Sequence, residues 1–169
     1  MIDGIKGVDF YPNKDIICNP GAHHADHVFM TTGHHNGEEK WFIRLDVGLF
    51  GDHPAIIYFN TEDAKTFRDK VNESLDTKIA IKDDPGFKPE KDVIRRGTSI
   101  TGEHHIDRVF MGVPGDDKGK WEIMLDNHLF TSAEIYFYTE DAITFMDKVN
   151  ESLEDAKRNK VVESLEGLG

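Results

Sequence analysis

The chain has 169 residues, with 20 Lys and Arg against 32 Asp and Glu, and a formal charge of −12 at pH 7. Such an acidic surface repels phosphate backbones and anionic lipid, which argues against direct binding to nucleic acid or membrane, and no apolar run approaches the ~20 residues that span a bilayer. Cys18 is the only cysteine, so an intrachain disulfide and a Cys-based metal cluster are excluded.

The amino terminus, "MIDGIKGVDFYP", lacks the charged-then-apolar order of a secretion signal, and a cytoplasmic location is expected. From Asp9 onward, "DFYPNKDIICNPGAHHADHVFM" opens a block that ends near Leu75. Within it "KDIIC" reads as a short strand and "HVFMTTG" as a longer one, followed by turn residues Gly33 to Gly37. In "WFIRLDV", Trp41, Ile43, Leu45 and Val47 alternate with Phe42, Arg44 and Asp46, the period of a half-buried strand. "AIIYFN" is dense in β-branched and aromatic residues and reads as the strand that pairs next. A helix follows, with Thr61 at the N-cap position and Glu62 and Asp63 facing the positive end of its dipole. Ala64, Phe67, Val71 and Leu75 share one face of that helix.

The same order then recurs. "GFKPEKDVIRRGTSITGEHHIDRVFM" aligns with the opening block, "KWEIMLDNHLF" with "KWFIRLDVGLF", and "IYFYTEDAITFMDKVNESL" with "IYFNTEDAKTFRDKVNESL". Roughly half of the aligned positions are identical, beyond what chance produces. The second helix opens on Thr139, Glu140 and Asp141 and buries Ala142, Phe145, Val149 and Leu153; its pattern continues toward Leu165.

The expected fold is therefore α+β: a tandem duplication of an antiparallel β-sheet unit of three to four strands, each followed by one helix, in a pseudo-two-fold arrangement. The first unit spans 1–76 with its core at 9–75; 77–85 is a polar linker with a short strand at Ile79 to Ile81. The second unit spans 86–169, with its core at 86–153 and a helical extension. A half of this length buries about 60% of its unfolded surface, so two halves gain by sharing one interior.

Chemistry is harder to read. "HHAD" and "HHID" put His24 beside Asp26 and His105 beside Asp107, one residue apart on one strand face. Each pair supplies too few donors for zinc, so a metal reading needs all four residues in one composite divalent-cation site, the basis of a metal-protein or hydrolase alternative. No nucleophile elbow or phosphate loop occurs, Cys18 lacks a counterpart in the second block, His34, His35 and His53 are expected to face solvent, and His128 stands where the first block has Gly48. No cofactor is expected.

Contact residues are easier to nominate: Phe50 and Phe130, each ending a Trp strand, and the strand tyrosines Tyr58, Tyr136 and Tyr138. The leading expectation is a non-enzymatic, acidic protein-binding module. It would occlude a basic surface of a partner, such as the channel of a nucleic-acid enzyme, in the manner of a phage or mobile-element inhibitor. A third reading is a small-ligand binder with its pocket between the two units.

Overall fold

A computed structural model describes residues 7–14, 16–19, 23–47, 55–90, 93–96, 103–115, 119–127 and 132–153. It is a mixed α+β fold with one large antiparallel sheet and two helices. The first half of the chain supplies β1 (Val8–Phe10), β2 (Ile16–Asn19), β3 (His23–His35), β4 (Glu38–Val47), β5 (Ala55–Phe59) and α1 (Thr61–Thr77). A 3-10 turn (Ile81–Asp83) then leads to β6 (Val93–Arg96), β7 (Glu103–Ile106), β8 (Arg108–Gly112), β9 (Lys120–Asp126), β10 (Ala133–Tyr138) and α2 (Thr139–Leu153).

The strand order is β7-β6-β5-β4-β3-β2-β10-β9-β8, with β1 beside β3. The strands at the two ends, β7 and β8, are separated in the chain only by Asp107, whose N–H donates to the Asp126 carbonyl at 2.8 Å. The sheet therefore runs round almost to a barrel, leaving few open edge groups. The two halves of the chain meet edge to edge twice, through β5 with β6 and β10 with β2.

Alternation explains which residues point inward. Trp41, Ile43 and Leu45 on β4, Trp121, Ile123 and Leu125 on β9, and Ile135 and Phe137 on β10 are all buried. They meet Ala64, Phe67 and Val71 of α1 and Ala142, Phe145, Val149 and Leu153 of α2 in a single cluster drawn from both halves. Phe67 sits 4.8 Å from Phe59 and 6.3 Å from Phe145, and Phe145 sits 4.8 Å from Phe137. Each such ring contributes about 2–3 kcal/mol by burial.

Polar ties cross between the halves. Trp41 Nε1 donates to Ser152 Oγ and Trp121 Nε1 to Ser74 Oγ, both at 2.9 Å. The amides of Asn72 and Asn150 exchange two hydrogen bonds of 2.8 Å between the helices. Asp141, 2% exposed, accepts the backbone N–H groups of Asn13 and Lys14, and Asp63 accepts that of Glu90. These aspartates were expected to act only on the helix dipole; they also hold the turn that precedes a strand of the other half.

Some boundaries differ from expectation. Helix α1 is capped by Asn60, whose backbone is extended and makes no side-chain cap bond, and Thr61 already lies within the first turn; α2 likewise begins at Thr139. The β3–β4 turn is shorter than expected. Asn36 and Gly37 both take positive φ (52° and 81°), the two-residue turn whose twist matches the strands, so β3 runs on to His35. The expected strand at Ile79 to Ile81 is instead a bridge from Ala80 to Val113 followed by the 3-10 turn. This segment runs so close to β8 that a Cβ on Gly112 would lie 2.7 Å from the Ile79 carbonyl. The expected extension of the second helix beyond Leu153 lies outside the described residues.

Candidate functional site on the outer sheet face

Residues that alternate away from the core form two cross-strand rows on the outer face. One runs Thr31, Phe42, Tyr58, Ile94, His105 across β3, β4, β5, β6 and β7. The other runs Gly112, Glu122, Tyr136, Ile17, His24 across β8, β9, β10, β2 and β3. Side chains one strand apart in a row are within contact distance.

The first row is closed by its own packing. Tyr58 lies 4.6 Å from the His35 ring and 5.8 Å from Phe42, and Phe29 adds an edge contact to Phe42. Tyr58, Ile94 and His35 are consequently buried, so His35 does not face solvent and Tyr58 offers little surface to a partner. Arg44 spans Phe29 and pairs with Asp46 at 3.0 Å.

The second row is acidic. Glu122, only 6% exposed, hydrogen-bonds Glu134 and Tyr136, and the Tyr136 hydroxyl donates to Glu134 in a very short bond. Burial raises the Glu122 carboxyl above its ordinary range, and the neighbouring Glu134 charge raises it further. Burial, the bond to Glu134 and the two carboxylate charges also push the Tyr136 phenol upward. Among the described residues no Lys or Arg pairs with Glu122 or Glu134.

A pH-dependent stability follows. Because the folded pKa of Glu122 is raised above 4.5, its stabilising effect is complete below that value and is lost as pH rises through the folded pKa. Glu122→Gln keeps a hydrogen-bonding amide and removes the charge. It should stabilise the fold at pH 7.5 by on the order of 1 kcal/mol and leave it nearly unchanged at pH 4, in paired denaturant titrations. Equal effects at both pH values would show that the carboxyl is not strained.

The histidine–aspartate motifs are placed apart. His24 and Asp26 stand exposed on β3, while His105 is exposed on β7 and Asp107 half-buried between β7 and β8. Between β3 and β7 lie β4, β5 and β6, and in the other direction β2, β10 and β9 intervene before β8. Among the described residues no three His, Cys, Asp or Glu side chains gather as a metal would require. Their aspartates mark a break in register: β3 shifts against β4 between Ala25 and His27, and Asp107 separates β7 from β8. The extra residue keeps Ala25 and Val28 both inward, with Asp26 between them exposed.

His27, not singled out from the sequence, is the histidine with the most evident partners. Its Nδ1 meets Asp46 at 2.9 Å, its Nε2 meets Asp9 at 2.8 Å, and the exposed Tyr11 ring stacks on it at 4.6 Å. Burial lowers its pKa, but the two hydrogen bonds and carboxylate charges outweigh this and raise it overall, favouring an imidazolium. Across from Asp126, the position corresponding to His27 across from Asp46, stands Arg108. Arg108 donates instead to the Pro85 carbonyl at 3.2 Å, and Asp126 accepts from Ser132, so the His27 ion pair is not repeated in the second half among the described residues.

Tyr138 is half-exposed beneath the ammonium groups of Lys14 and Lys120, at 4.8 and 5.3 Å from its ring. Cys18 is buried opposite His23 in the β2–β3 register. Phe50, Phe130, His53 and His128 lie outside the described residues. No helix among the described residues is long and apolar enough to cross a membrane. No protein-family model, curated protein or solved structure matches this chain.

Proposed function

We propose that the chain is a tandem duplication with a pseudo-two-fold axis passing between α1 and α2, and that it acts as a non-enzymatic, acidic protein-binding module. Three observations support the duplication: the matched sequence blocks, the edge pairings β5–β6 and β10–β2, and the exchange of Trp–Ser and Asn–Asn hydrogen bonds between corresponding residues. The observation that carries the binding reading is the Glu122–Glu134–Tyr136 group on the outer face, without a described counter-cation. Corresponding positions in the first half are Phe42, Ile56 and Tyr58, so this acidity is particular to the second half. A Lys or Arg from a partner would pair with the half-exposed Glu134 and offset the buried charge of Glu122 beside it, and the charge of −12 would steer such a basic surface toward it. Tyr138, two residues beyond Tyr136 on the same strand, stands beside the group and supplies aromatic contact together with Tyr136.

The test couples binding to stability. Immobilised chain is used to capture partners from its host cells, and the captured partner should elute as salt rises toward ~1 M, where the screening length falls to about 3 Å. Glu122→Gln, stabilising by itself, should weaken that capture, as expected of a residue kept for function at a cost in stability. Retention in molar salt, or capture unchanged by the substitution, would contradict the proposal.

A further inference from the structure

A cavity of about 170 Å³ lies where the C-terminal end of α1 meets β8, β9 and the start of α2. Its walls are apolar: Leu75 from α1, Val113 just after β8, Trp121 from β9 and Ile143 from α2. Ile143 is 46% exposed, one of two large apolar side chains left so open among the described residues. The corresponding position on α1 is Lys65, and the corresponding position for Met146, in the adjoining groove, is Arg68. The second helix is therefore apolar where the first is cationic, and only there does the difference border this cavity.

Polar groups on the wall are selective. Lys78 and Lys120 both line it, and no carboxylate does, although acidic residues outnumber basic ones in the chain 32 to 20. The Trp121 indole N–H is already bound to Ser74 Oγ, so neither of those groups is the obvious recognition element. Thr139, the first residue of α2, adds a hydroxyl to the same wall. The adjoining groove shares Leu75 and Ile143 but carries Glu73 and Asp76, which would repel a second negative charge.

The geometry points to a binding site for a small apolar monocarboxylate, with its ring or chain among Leu75, Val113, Trp121 and Ile143 and its carboxylate held by Lys78; the Lys120 ammonium is committed to the Tyr138 ring. The size suits this class, since a cavity of ~150 Å³ holds a benzene ring. The site draws on both halves of the chain, and its test uses a small molecule and alters none of Glu122, Glu134 or Tyr136, so its failure is distinguishable from that of partner binding.

The probe is benzoate, added to the full chain while the two Trp indole N–H signals are followed by NMR. Saturable shifts confined to the Trp121 signal are expected, with a dissociation constant of roughly 0.1–1 mM for a ligand of this size. Benzyl alcohol, matched in shape but neutral, should bind at least ~10-fold more weakly. Lys78 takes a left-handed backbone conformation, φ 55°, which asparagine also tolerates, so Lys78→Asn removes the charge with little strain. That variant should weaken benzoate ~5-fold or more without altering the melting temperature. Ile143→Trp, filling the mouth from an exposed position, should abolish binding. No saturable shift up to ~20 mM, far above the expected range, overturns the site altogether. Equal binding of benzyl alcohol, or benzoate binding unaffected by Lys78→Asn, overturns the anion assignment.

Discussion

Replacing Phe145 with alanine should destabilise the chain by about 3–5 kcal/mol, the largest single effect expected here. The ring is 1% exposed and packs against Phe137, Trp121 and, across the helix pair, Phe67. Removing it forfeits the transfer energy of a phenyl ring and leaves a void that packed neighbours fill only in part. Since Phe67 and Phe145 come from different helices, the loss reaches both halves. Global unfolding in denaturant should move to a lower midpoint with an unchanged slope. A cost below ~1 kcal/mol would mean that the helices do not share a packed interior.

Asp141→Ala should cost about 3 kcal/mol through a different mechanism. Its carboxylate accepts the N–H groups of Asn13 and Lys14 at 2.8 and 2.9 Å, more than 120 positions away in the chain. Alanine leaves both donors without their partner, and bonds to a charged acceptor are among the stronger ones. Asp141→Asn retains one acceptor oxygen and should recover part of the loss. Hydrogen exchange at Asn13 and Lys14 should accelerate in both variants, more in the alanine one. If exchange there is unchanged, the clamp does not operate in solution.

The helices and strands were legible because each obeys a short-range rule. The alternation at Trp41, Ile43 and Leu45 and the helical spacing of Phe67 and Val71 both reappear as buried faces. Where β2 lies was readable from "KDIIC", and β6 falls on the segment aligned with it. What was not legible depends on register and closure. Glu122, Glu134 and Tyr136 look like ordinary outward strand residues until β9 and β10 are paired, which puts Tyr136 opposite Glu122. His27 resembles any strand histidine until β1 brings Asp9 alongside β3 and β4 brings Asp46. The aspartates of the two histidine motifs suggested ligands because spacing within a strand cannot reveal that β3 and β7 lie far apart round the sheet. The cavity beside Ile143 had a faint sequence signal: an isoleucine on an exposed helix position where the matching residue is lysine.

The two tryptophans make one measurement decisive, since Trp41 belongs to the first half and Trp121 to the second. In Trp41→Phe and Trp121→Phe variants, the remaining indole reports on its own half, while far-UV circular dichroism reports on the whole chain. A single interior closed by both halves predicts that, within each variant, fluorescence and dichroism trace one denaturation curve with the same midpoint. Two midpoints, with one half melting while the other persists, would contradict it.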